Sequence, residues 1–337
     1  MSALTPASAR TLRRAALLCA LLPGAAAALA CSCVAPPESA FLHVAPGKDR
    51  QPTIYLPANA RGMLFHARPM LQWEGSDREG HTRLAALPPP LTAARFTINE
   101  VKSGKRVEAV VTPLFTDQID ALTGRQRYVL DKTTRDISAD VRKAFGLFRV
   151  VPAGGFVSGR SYRVTYTPAS GAAMTVIARL GPAVVQAPGQ VFSLQLDGPA
   201  VRRLLPVVDT GGACSKDLAA AVQSLRIGLP SRYEAYRNNI SYFVLQRQAS
   251  GFDIRRYVSN SCDVPPFGGS NLGALKELAY SSCSQPAAAR KAKALVGMLE
   301  LDDKLQETET IEIRFDKAGG PACSALNQTA QQLRDEN

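Results

Sequence analysis

The sequence predicts an all-β protein made of two β-sandwich domains, preceded by a cleaved leader and a proline-rich arm. Three observations predict it. From Thr53 to Leu196, short β-branched and aromatic runs alternate with turn residues at the spacing of a sandwich or barrel. Near Pro206 the texture changes, with Gly211-Gly212-Ala213-Cys214 reading as a boundary before strand-like runs resume. Cys214, Cys262, Cys283 and Cys323 all lie in this second half, as a disulfide-braced domain requires.

Residues 1–30 read as an export leader: Arg10, Arg13 and Arg14 precede an apolar run from Ala15 to Leu29, and Ala28 and Ala30 suit signal-peptidase cleavage before Cys31. The run is short for a membrane span, and no later stretch approaches that length. Residues 31–52 form an arm that opens on Cys31-Ser32-Cys33 and continues through Pro36, Pro37 and Pro52, so it reads as a tether. The first domain is expected over 53–206 and the second over 207–337.

In the first domain, strands are expected at Gly62 to Ala67, Ala94 to Val101, Arg106 to Leu114, Arg127 to Lys132, Leu147 to Val151, Tyr162 to Tyr166, Met174 to Leu180 and Val191 to Leu196. Phe96 to Val101 and Val107 to Val111 form a hairpin in which Gly104 supplies a positive φ. A short helix is expected at Ala139 to Phe145, capped by Ser138. In the second domain, Lys216 to Leu225 has helical Ala-Leu spacing. Strands follow at Leu225 to Leu229, Ile240 to Arg247, Phe252 to Ser259, Leu275 to Cys283 and Thr310 to Asp316, with Ile311, Ile313 and Phe315 on one face. Pro286 to Leu301 fits helix or strand, and Val296 to Leu301 favours strand.

Pro57-Ala-Asn59, a middle strand at Arg95 to Glu100, and Phe156-Val-Ser-Gly159-Arg-Ser-Tyr162 together resemble a bacterial Ig-like domain. The resemblance covers about Thr53 to Thr167 and implies a fold, with an insertion from Pro113 to Phe145. Cys31-Ser-Cys33-Val34-Ala-Pro36-Pro37-Glu-Ser-Ala-Phe41 resembles the mature N-terminus of tissue inhibitors of metalloproteinases. That resemblance implies a Cys31 amine and carbonyl that chelate a protease's zinc. Ala28-Leu29-Ala30-Cys31 is similar to a bacterial lipobox, which implies a lipid on Cys31 and attachment to a membrane through it. A structural disulfide through Cys31 or Cys33 is the third reading of the pair; a soft-metal site would have only His43 nearby.

The chain carries 40 Lys and Arg against 28 Asp and Glu, a net charge of +12. The second domain is balanced, with 15 of each sign over 207–337, so the mature excess lies before it. Lys102, Lys105 and Arg106 surround one turn, Arg125 and Arg127 another, and Arg202 and Arg203 lie near the domain's end. Gathered on one face, these would hold an acidic envelope polymer, a lipid head group or a protein partner. Export and the lack of a recognition motif argue against nucleic acid. The four later cysteines pair most simply among themselves, for example Cys262 with Cys283 and Cys214 with Cys323.

No catalytic or cofactor signature is legible. His43, His66 and His81 form no metal motif, and His66 reads as a solvent-facing or hydrogen-bonded strand residue. Gly268-Gly269-Ser270-Asn271 lacks nucleophile-elbow spacing, and Asp302-Asp303 reads as a solvated turn. The favoured function is an exported binding or cell-envelope module needing no cofactor. The alternatives are a metalloprotease inhibitor led by Cys31 and a hydrolase whose groups converge only in the fold.

Overall fold

The computed structural model describes residues 39–46, 51–67, 73–76, 82–114, 128–130, 136–169, 171–185, 191–208, 215–248, 251–254 and 276–335. It is an all-β protein of two sandwiches, the class expected above. In the first, one sheet runs β1 (Ala40–Phe41), β4 (Met63–Ala67), β11 (Gly146–Pro152), β9 (Ala109–Pro113), all antiparallel. The facing sheet has six strands in the order β2 (Ala45–Pro46), β3 (Pro52–Pro57), β13 (Met174–Gly181), β12 (Ser161–Tyr166), β7 (Phe96–Glu100), β8 (Arg106–Val107); only β3 and β13 are parallel. A small side sheet joins β5 (Trp73–Ser76), β6 (Thr82–Leu84) and β10 (Tyr128–Leu130).

Alternation makes these strands. In β12, Tyr162, Val164 and Tyr166 are buried while Arg163 faces out, and in β7 Phe96 and Ile98 do the same around Thr97. The inner faces meet in an aromatic nucleus: Phe65 lies 5.1 Å from both Phe41 and Phe96 and 4.6 Å from Tyr166, ring centre to ring centre. Phe41 belongs to the arm, whose described residues 39–46 hold two short strands, β1 on β4 and β2 on β3, where a tether was expected.

Both turns that carried the Ig-like resemblance are built as hydrogen-bonded corners. Asn59 exchanges two bonds with the backbone of Val184 (2.9 and 3.0 Å). The Val157 amide donates to the Tyr162 hydroxyl (3.2 Å), Phe156 packs on the Tyr162 ring, and Gly159 holds φ +73°. The helix expected from Ala139 is α1 (Ser138–Val141); Ser138 is not its cap but lies in the first turn, its amide bonded to the Asp136 carboxylate (2.8 Å).

The second sandwich is organised on β16 (Ser215–Gly228). One edge of β16 pairs with β14 (Ser193–Leu196) and β15 (Val201–Val208), the other with β19 (Lys276–Ser282). The opposing sheet runs β18 (Gly251–Ile254), β17 (Ser241–Gln248), β20 (Ala289–Gly297), with β21 (Gln306–Glu307) and β22 (Ile311–Arg314) sharing the far edge of β20. Helix α2 (Cys323–Asp335), which the pattern reading did not predict, lies against β15 and β16.

Four expectations change here. Lys216 to Leu225 is strand, not helix: Ala221, Leu225 and Ile227 face the core while Ala220 and Val222 pack on the other side, and a strand buried on both faces loses its alternation. The change of domain expected at 206 and 207 falls inside β15, which bonds to β16 along its length; the second sandwich has already begun at Ser193. Residues 298–301 turn instead of extending β20, with the Leu301 amide bonded to the Met298 carbonyl. The disulfide is Cys283–Cys323, because β19 delivers Cys283 beside Ala219 where α2 begins; this replaces the Cys262–Cys283 and Cys214–Cys323 pairs. Cys31, Cys33, Cys214 and Cys262 lie outside the described residues.

The sandwiches share an apolar seam: Leu64 and Leu147 from the first meet Phe243, Leu245, Leu295, Leu299 and Leu305 from the second. Polar straps frame it. Arg149 donates to the Leu299 carbonyl (2.6 Å) and pairs with Asp303 (2.8 Å), and the Arg61 amide donates to the Glu300 carbonyl (2.7 Å). Asp303, read from sequence as a solvated turn residue, is part of the joint. His66 is buried on β4 rather than solvent-facing, near the Phe145 ring. Among the described residues no helix is long and apolar enough to cross a membrane.

Candidate binding surface on the first sandwich

The six-stranded sheet of the first sandwich buries one face in the core and opens part of the other to solvent. Its register decides which charges gather there. Arg106 on β8 stands opposite Asn99 on β7, Asn99 opposite Arg163 on β12, and Arg163 opposite Ile177 on β13. Arg179, two residues beyond Ile177 on the same face, stands opposite Tyr55 on β3. All of these alternate with core residues: Val107, Ile98, Val164, Ala178 and Ile54 point the other way.

The result is an outward face with three arginines and, among the described residues of these strands, no acid. Glu100 is the one acidic residue in these six strands, and it stands opposite the core residue Tyr162. Its carboxylate is taken up by Arg160 (3.0 Å) and the Ser103 hydroxyl (2.8 Å). Arg106 and Arg163 are exposed, Arg179 is half-buried, and none of the three has an acidic partner among the described residues. Beside them runs a row of hydroxyls, Thr97, Thr165 and Thr175, with the last two bonded at 2.9 Å. Further along the sheet Ile177 and Thr53 are buried, so the open surface centres on β8, β7 and β12 and reaches Tyr55, which is 39% exposed.

The basic residues singled out in the sequence are only partly brought together. Lys102 and Lys105 are exposed in the β7–β8 turn, where Gly104 holds φ +68° and its amide closes on the Glu100 carbonyl. Arg106 joins the arginine face. Arg202 and Arg203 belong to β15 in the other sandwich, and Arg125 and Arg127 lie outside the described residues, as do His81 and Gly268 to Asn271. Arg163 and Arg179 were missed. Their signal was the alternation itself, a lone arginine between core-facing neighbours in Tyr162-Arg-Val164 and Ala178-Arg-Leu180.

No protein-family model matches the chain. No curated protein matches it either. Among solved structures, the chicken interferon gamma receptor alpha chain aligns over 82% of this chain and 98% of its own, at 10% identity and a TM-score of 0.17.

Proposed function

We propose that this chain is an exported binding module that holds an anionic ligand on the solvent face of its six-stranded sheet. The observation that carries the reading is the register placing Arg106, Arg163 and Arg179 on one face whose described strand residues carry no acid. Lys102 and Lys105 in the adjoining turn extend its field. The basic leader with its apolar run and the Cys283–Cys323 bond support an oxidising compartment outside the cytoplasm.

The test is salt elution from immobilised heparin. A triple variant, Arg106→Ala, Arg163→Ala and Arg179→Ala, is compared with a control triple that removes the same charge from exposed positions elsewhere, Arg203→Ala, Lys291→Ala and Lys317→Ala. The face triple elutes at clearly lower salt than the control. Equal shifts for both would mean that only net charge matters, and the reading falls.

A further inference from the structure

We infer that the ligand of the arginine face is an acidic polysaccharide carrying carboxylates along its chain, a conclusion that rests on the arginine face being the binding surface. The face is an open sheet with its charges spread out. Arg106 and Arg163 are separated by one intervening strand, so their backbones stand about 10 Å apart. Arg163 and Arg179 are diagonal neighbours on adjacent strands, about 7 to 8 Å apart. Spread guanidinium groups suit an extended ligand with repeating single charges, and each planar fork matches a carboxylate in two parallel hydrogen bonds.

What lies between the charges chooses the polymer. Asn99 separates Arg106 from Arg163, and the threonine hydroxyls line the next row, so the spacers are uncharged hydrogen-bonding groups suited to hydroxyl-rich rings. Tyr55, opposite Arg179 and exposed, supplies an apolar platform with a polar tip against which a sugar ring can lie. A protein partner would call for a cluster of apolar anchors at the centre of the patch; the central apolar residue, Ile177, is buried at 6% exposure. Carboxylates on alternate rings would meet the arginines while the intervening rings face Asn99 and the hydroxyls.

The experiment uses the leaderless chain in affinity electrophoresis and titration calorimetry. The probes are hyaluronate, whose carboxylates stand on alternate rings, neutral dextran, polyglutamate, and phosphatidylglycerol vesicles. Wild type binds hyaluronate and not dextran. Changing Arg163→Lys and Arg179→Lys together keeps the charge yet weakens hyaluronate binding about tenfold, because the forks are lost. Tyr55→Ala weakens it about fivefold without changing its salt dependence. Circular dichroism confirms that each variant is folded. Failure to bind hyaluronate, or lysine and Tyr55 variants that bind it as wild type does, overturns the polysaccharide inference. If polyglutamate or vesicles are then held by wild type and released by the Arg106, Arg163 and Arg179 alanine triple, the anion-binding reading stands without it. If no polyanion separates that triple from the control triple, both fall.

Discussion

His43 and Glu300, 257 positions apart, meet at the joint between the sandwiches, where His43 Nδ1 lies 2.7 Å from Glu300 Oε1. Asn239 Nδ2 donates to the same oxygen at 2.9 Å, while the second carboxylate oxygen is buried without a partner. The Glu300 side chain is 1% exposed. His43 is also the one described residue other than glycine with a positive φ, +60°, a backbone state that costs about 1 kcal/mol or more and persists where surrounding contacts impose it. One carboxylate thus ties together the arm, the 3-10 segment Ser231–Asn239 and the turn after β20.

Removing the imidazole leaves a buried carboxylate with one donor. His43→Ala is expected to lower the unfolding free energy by about 2 to 3 kcal/mol. In a double-mutant cycle with Glu300→Gln, urea unfolding should return a coupling of at least about 1 kcal/mol. Additive losses would show that the pair does not act as a unit.

Gly62 is where the Arg149 strap crosses the chain. A Cβ at position 62 would collide with the Arg149 Cγ, near the root of a side chain that is 11% exposed and anchored on Leu299 and Asp303. Gly62→Ala should cost about 1 to 3 kcal/mol through this overpacking. Combined with Arg149→Ala, the loss should be smaller than the sum of the two, since the clash disappears with the arginine. A strictly additive pair would place the cost elsewhere.

The Cys283–Cys323 bond closes a separation of 40 residues and fastens α2 to the second sandwich. Loop-closure entropy for that length is about 4 kcal/mol. Cys323→Ser should therefore lower the stability of the second sandwich, and hydrogen exchange should quicken first in α2. Peptide mapping of the oxidised protein should recover Cys283 linked to Cys323; recovery of Cys283 on Cys262 would contradict it.

Tyr236 donates to the Pro182 carbonyl at 2.6 Å, and burial pushes its hydroxyl above the usual tyrosine value of about 10. The folded state holds this proton more tightly than the unfolded chain does. Its contribution is therefore complete below the unfolded value and lost as pH rises through the folded one. Tyr236→Phe should cost about 1 kcal/mol at neutral pH, and the difference from wild type should shrink as pH is raised from about 8 to about 11. A difference that stays constant over that range would show that the hydroxyl does not titrate with unfolding.

Pattern reading worked where one face of a strand is buried and the other wet. Phe96-Thr-Ile98, Tyr162-Arg-Val164-Thr-Tyr166 and Ile311-Glu-Ile313-Arg all alternate, and all are strands. It failed at Asp217-Leu-Ala-Ala-Ala-Val222 because β16 is covered on both sides, so small and branched apolar residues follow one another as they would in a helix. It also passed over the arm, whose prolines hid the one buried aromatic, Phe41, that sews it to β4.

The sequence by itself determined the all-β class, most strand positions, the turn at Gly104 and the basic character of the first half, because each is set by local alternation, turn chemistry or composition. Of the hairpin arm expected at Val107 to Val111, only Val107 pairs with β7, with Arg106 beside it, and Ala109–Pro113 crosses to the facing sheet. Tertiary structure alone decided that Arg106, Arg163 and Arg179 share a face, that Cys283 meets Cys323, and that His43 reaches Glu300. Each depends on a strand order or a docking that does not follow the chain: β7–β8 and β12–β13 are each consecutive, but the pairing of β7 with β12, which joins them into one face, brings Phe96–Glu100 beside Ser161–Tyr166. Hydrogen-bond register across strands carries that information, and no single strand holds it.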